Sequence, residues 1–203
     1  MARSRLVARF GAAASILLLG AQSVAAASIA SDPVGDALYK VPGYLDIVGA
    51  ELTSEAGTYT FRMTVAAPIP ARSKLPVPAR ASIRWAFPID SDVTTFPVGA
   101  PYAPGNGQSG PAEFNIRVVT DGKTFWASLL DRRPLLAGGD AVLVPLAFDV
   151  SGSQVRVPVP AALLGDPASF RWGAITAGAS ADPDSNNGYH HLDVLAPFYR
   201  TWP

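Results

Sequence analysis

Three observations predict an all-β fold, a two-layer antiparallel sandwich of jelly-roll or immunoglobulin-like type with about eight strands. The chain holds 18 glycines and 19 prolines among 203 residues, well above the ordinary combined share of roughly 12%. Several segments alternate apolar and polar residues with period two, the period at which side chains fall on opposite faces of a strand. Turn dipeptides separate these segments, and none carries the 3.6-residue periodicity of an amphipathic helix.

The clearest strand is Thr58 to Val65, where Tyr59, Phe61, Met63 and Val65 share one face and Thr58, Thr60, Arg62 and Thr64 the other. Leu45 to Thr53 is its expected hairpin partner, joined through Glu55-Ala56-Gly57. Ile83, Trp85, Phe87 and Ile89 repeat the alternation, as do Phe114, Ile116 and Val118. Asp121-Gly122 then signals a hairpin into Thr124 to Leu129, because this dipeptide tolerates the positive φ that tight hairpin turns need. Val142, Val144, Leu146 and Phe148 read as one further strand, and Ser151-Gly152 turns the chain into Val155, Val157 and Val159. Pro158 and Pro160 lack a ladder N–H, which places their segment at a sheet edge or a strand end. Ala161 to Leu164 is expected to make one helical turn stopped by Gly165, and Phe170, Trp172 and Ala174 form the last strand. Ser91 to Ala112 and the tail from Ala179 to Pro203 exceed what a minimal sandwich needs.

Arg3, Arg5 and Arg9 precede an uncharged apolar run from Phe10 to Val24 and the small residues Ala25, Ala26 and Ala27. This is the pattern of a secretory signal peptide over 1–27, which leaves one domain over 28–203, secreted or periplasmic, that meets the membrane only during export. Removing the leader takes away three arginines and no acid, leaving 13 basic and 16 acidic residues, a net charge of about −3. A faintly acidic surface suits neither nucleic acid nor anionic membrane. The chain has no cysteine, so thiol catalysis and disulfide stapling are both excluded.

The Asp32-Pro-Val-Gly-Asp36-Ala turn, Tyr44-Leu-Asp46-Ile-Val, and Trp85 through Ile89-Asp90-Ser-Asp92 follow one another in an informative order. So do the run from Val157 to Trp172 and the acidic tail from Asp182. In this order the chain resembles bacterial secreted β-sandwich domains grouped with family 9 carbohydrate-binding modules and the related DOMON domains. The resemblance implies a sandwich that binds a glycan, haem or only calcium. It also implies that the two chain ends meet on one side, so that Asp32, Asp36 and Asp46 would complete a structural metal site near the tail.

Within the tail, Asp182, Asp184, Asn186 and Asp193 present oxygen ligands over a twelve-residue span. Hard oxygens converging from alternate positions of a turn are what Ca²⁺ takes. The spacing departs from a helix-flanked calcium loop at Asn187, where glycine is usual, and at Asp193, where glutamate is usual. The same residues read equally as an Asx-rich surface turn, and Asp32-Pro-Val-Gly alone is a serviceable β-turn. Asp90 and Asp92 end an apolar strand, with both carboxylates on one side of an extended backbone, suited to a cation or to sugar hydroxyls or simply to solvent. Trp126 stands out of phase with Phe125, Ala127 and Leu129, and Tyr102 lies in the long Gly/Pro-rich stretch. Each is a candidate to stack on a pyranose ring or to pack under a loop.

Met63 and a histidine would be the axial pair if the DOMON resemblance extended to haem, yet Met63 keeps phase with core residues. His190 and His191, the two histidines, are adjacent and so diverge on an extended strand. The chain carries no nucleophile elbow, phosphate-binding glycine loop or zinc-binding helix signature. The expectation is a non-enzymatic secreted binding domain, calcium-stabilised and glycan-binding. Its alternatives are an envelope interaction protein that binds no sugar and, third, a haem-carrying redox domain.

Overall fold

The computed structural model of the protein describes residues 27–38, 40–71, 82–92, 112–136, 138–179, 189–195 and 200–203. Two antiparallel sheets pack face to face. The strands in chain order are β1 (Ala27–Ser31), β2 (Ile47–Glu55), β3 (Thr58–Val65), β4 (Ser82–Asp90), β5 (Phe114–Thr120), β6 (Phe125–Asp131) and β7 (Val142–Pro145). They continue as β8 (Asp149–Ser151), β9 (Gln154–Pro160), β10 (Phe170–Trp172), β11 (Ile175–Ala179), β12 (Tyr189–Val194) and β13 (Arg200–Trp202). The smaller sheet runs β1-β2-β3-β9-β8, and the larger runs β12-β11-β4-β5-β6-β7, with β10 pairing to β4 and β13 to β10.

Alternation builds the core. Leu52, Phe61, Met63, Val155, Val157 and Val159 point inward from the smaller sheet, and Ile83, Trp85, Phe87, Phe114, Ile116 and Val118 from the larger, all fully buried. Aromatic rings bridge the layers: Phe61 lies 5.4 Å from Phe87 and 6.3 Å, edge on, from Trp172. At one end Tyr59 meets Phe170 and Trp202 at 5.2 and 5.7 Å.

The expected strand over Thr58 to Val65 and the one from Ile83 to Ile89 form as read, and the β2–β3 hairpin turns through Ala56 and Gly57, both at positive φ. The partner strand starts at Ile47 rather than Leu45, because Gly43–Leu45 forms a 3-10 turn after Pro42. The strand expected from Val142 to Phe148 ends at Pro145 as β7, and after the irregular stretch Leu146 to Phe148 the chain enters the other sheet as β8. Pro145 cannot extend the ladder on β6, so the chain leaves after Leu146 bonds Ala127 and crosses to pair as β8 with β9. β8 pairs with Gln154 to Arg156, so among the described residues Pro158 and Pro160 lie on an edge-like stretch with β3 as their one strand neighbour. Ala161 to Leu164 makes a 3-10 turn ended by Gly165 at φ 81°.

The tail is part of the sandwich. β12 and β13 both join the larger sheet, and Trp202 packs in the core. β1, which begins at the last residue of the expected leader, adds an edge strand to the smaller sheet.

Candidate metal centre

β1 and β12 belong to different sheets, and the turn that follows β1 meets β12 at three carboxylates. One oxygen each from Asp32, Asp36 and Asp193 lies within 4.8 Å of the others. Asp32 follows β1 directly, and Asp36 closes the turn in which Gly35 takes φ 86°. A non-glycine residue at that angle would be strained, so the glycine lets the turn bring Asp36 back beside Asp32. Leu38 then donates its N–H to Leu192 of β12 at 2.9 Å, tying the segment to the larger sheet.

Asp193 is aimed by an irregularity in its strand. The β11–β12 register passes from Thr176 opposite Asp193 to Ala177 opposite His191, with Leu192 as the extra residue. Such a bulge re-aims the side chains around it. Leu192 enters the hydrophobic core while Asp193 is only 2% exposed. Its Oδ2 accepts the Ile47 N–H at 2.5 Å and its Oδ1 the Val194 N–H at 2.8 Å. Burial pushes its pKa up to about 6 against the help of those two N–H groups, and the charges of Asp32 and Asp36 push the same way.

Asp46 stands beside the cluster as a support. Its Oδ2 accepts the Gly35 N–H at 2.8 Å, holding the turn between Asp32 and Asp36, while its buried Oδ1 has no hydrogen-bond partner among the described residues. Three carboxylates with a buried acceptor to spare form a hard, oxygen-only donor set. Such a set fits Ca²⁺, which completes six to eight ligands with carbonyls and water. Asp32 and Asp193 are buried and Asp36 is exposed, so the cluster is open on one side.

The remaining candidates are dispersed. Asp182, Asp184, Asn186 and Tyr102 lie outside the described residues. Asp90 is fully buried and ion-paired with Arg171, whereas Asp92 is exposed. They do not form a paired surface site. Sequence reasoning missed Glu113, which is 4% exposed. Its Oε2 accepts the Ser91 N–H at 2.7 Å and the Asp92 N–H at 3.4 Å, thereby holding the end of β4. Asp90 and Glu113 both have raised pKa values, burial being the largest cause for each and the charge of Asp90 adding to the rise at Glu113. Asn115, two residues on, is 1% exposed, and neither of its amide atoms has a hydrogen-bond partner among the described residues. Only the pairing of Ile89 with Phe114 brings Asp90 and Glu113 side by side, and no local motif announces it.

Trp126 is 44% exposed on the face of β6 away from the core, while Trp85 and Trp172 are fully buried, as their phase predicts. Met63 is fully buried among core side chains and His191 is 1% exposed on β12. No protein-family model matches the chain, and no curated protein matches it in sequence.

Proposed function

We propose that this protein is a non-enzymatic, extracytoplasmic β-sandwich binding domain in which a structural calcium ion clips the turn after β1 to β12. The observation that carries this reading is the convergence of Asp32, Asp36 and Asp193 from distant parts of the sequence. Uncompensated, three carboxylates this close repel, and a divalent cation turns that repulsion into attraction. Asp32 and Asp36 would bind the ion from the turn, Asp193 from the larger sheet, and Asp46 would hold the turn in shape. The resemblance to family 9 carbohydrate-binding modules supports a glycan as the ligand, and exposed Trp126 offers an apolar ring on which a sugar can stack.

Calorimetric titration of the chelator-treated protein with calcium tests the clip. Saturable binding at one site per chain, weakened at least tenfold by Asp36→Asn, is the expected result, and no heat of binding would refute it. Oligosaccharide binding lost in Trp126→Ala would support the sugar reading.

An interaction protein of the cell envelope is the second reading, favoured by one feature. β7, an edge strand among the described residues, carries Val142 and Leu143 at 48% and 59% exposure. Exposed apolar side chains on an edge strand are the usual mark of a protein contact. Self-association in sedimentation experiments that Leu143→Lys abolishes would favour this reading.

A further inference from the structure

β1 is weakly held by its own side chains. Of its five residues Ala30 alone is buried, Ser28 is half-buried, and Ile29 points outward at 70% exposure. The strand is held instead by its backbone ladder to Gly49 through Thr53 of β2 and by a long hydrogen bond from Trp172 Nε1 to Ser28 Oγ at 3.3 Å. Gly49 permits this approach, because a Cβ there would lie 3.1 Å from the Ala30 carbonyl oxygen. A strand that buries so little apolar surface contributes little from packing and is a natural place for local opening.

The residue that follows β1 is Asp32. Its N–H bonds the Val48 carbonyl at 3.2 Å and its carboxylate belongs to the three-acid cluster. The charge state of the cluster therefore acts on β1 through one covalent step. Asp36 and Asp193 repel Asp32 when no cation is bound and hold it through the cation when one is. Independent of those three acids, the buried Asp46 Oδ1 beside them has no hydrogen-bond partner among the described residues.

We propose that β1 is an ion-latched strand: the loaded cluster fixes β1 on β2, and unloading it releases β1 and uncovers β2 as an open edge. The inference rests on the calcium reading above and goes beyond it, since an ion can bind and stabilise the whole sandwich without controlling any one strand. Once β1 departs, β2 presents unpaired N–H and C=O groups along Gly49 to Thr53, the kind of edge that accepts an extended segment.

Hydrogen exchange read by mass spectrometry separates the two ideas, with terbium luminescence and calcium calorimetry run on the same protein to establish occupancy. With the ion bound, amides of β1 and those amides of Gly49 to Thr53 that point to β1 rather than to β3 should be protected. In excess chelator they should exchange at least tenfold faster, while those of β3, β4, β5 and β9 keep their rates. Asp36→Asn, at an exposed position where folding is not at stake, should show the fast exchange even in calcium. Binding with unchanged β1 exchange, or with an equal change in every strand, overturns the latch and leaves the calcium site standing. Absence of binding overturns both.

Discussion

Asp193 is the residue at which charge, burial and position conflict most. An ordinary carboxyl titrates near 3.8, whereas Asp193 is pushed up to about 6. The folded chain therefore binds this proton more tightly than the unfolded chain. Without a cation, stability should rise as the pH falls through 6 and level off below the unfolded value. Asp90 and Glu113, both raised, act in the same direction. Asp121 and Asp131 are lowered, so their opposing contribution is lost only at more acid pH. In chelator the urea midpoint should be higher at pH 5.5 than at pH 7.5, and Asp193→Asn should flatten the trend. A midpoint that falls over this range would contradict the assignment. In calcium the trend should weaken or reverse, because protons compete with the cation for the same oxygens. The acidity of Asp32, Asp36, Asp46 and Asp193 was legible in the sequence. That Asp32 and Asp36 approach the tail was implied by the family resemblance; which tail carboxylate joins them was not legible from the residues, since it depends on a bulge in β12 and on the two sheets lying face to face.

The elements show where local reading works. β3 and β4 were legible because strict alternation on a two-faced sheet leaves one solution, and a shift by one residue would turn Phe61 or Trp85 out of the core. The β7–β8 region was not, because alternation persists through Val144, Leu146 and Phe148 while the chain changes sheets; periodicity reports facing, not partner. β12 was missed because the bulge interrupts its alternation at Leu192 and Asp193. β10 was read from Phe170 and Trp172 but ends there rather than at Ala174 and is not the last strand, and β13 has three residues, too few for a period to declare itself. The β2–β3 turn is locally imperfect, since Ala56 sits at φ 47° ahead of Gly57 at φ 74°. A left-handed alanine costs about 1–2 kcal/mol, and Asn-Gly is the preferred pair for a turn with two positive φ angles. Ala56→Asn should therefore stabilise the protein by about 0.5–1 kcal/mol, read as a higher urea midpoint with unchanged m-value. A loss of stability would mean that this turn is not of that type.

For the whole molecule, the two sheets are joined by a buried aromatic core at the centre and by polar contacts at the end where Asp193 Oδ2 meets the Ile47 N–H. Removing the central ring with Phe61→Ala should cost about 3–5 kcal/mol whether or not calcium is present. Substitution of the exposed Asp36 should matter chiefly through the ion. The central claim is that this end is a calcium clip, and the thermal midpoint in millimolar calcium against excess chelator tests it most directly. At about a hundredfold over its dissociation constant, a ligand specific to the folded state adds about 2.7 kcal/mol. For a domain of this size that corresponds to about 5–10 °C. Such a rise is expected in the wild type and should be lost in Asp32→Asn and Asp193→Asn. A midpoint indifferent to calcium would make Asp32, Asp36 and Asp193 an unmetallated acidic turn and would contradict the account.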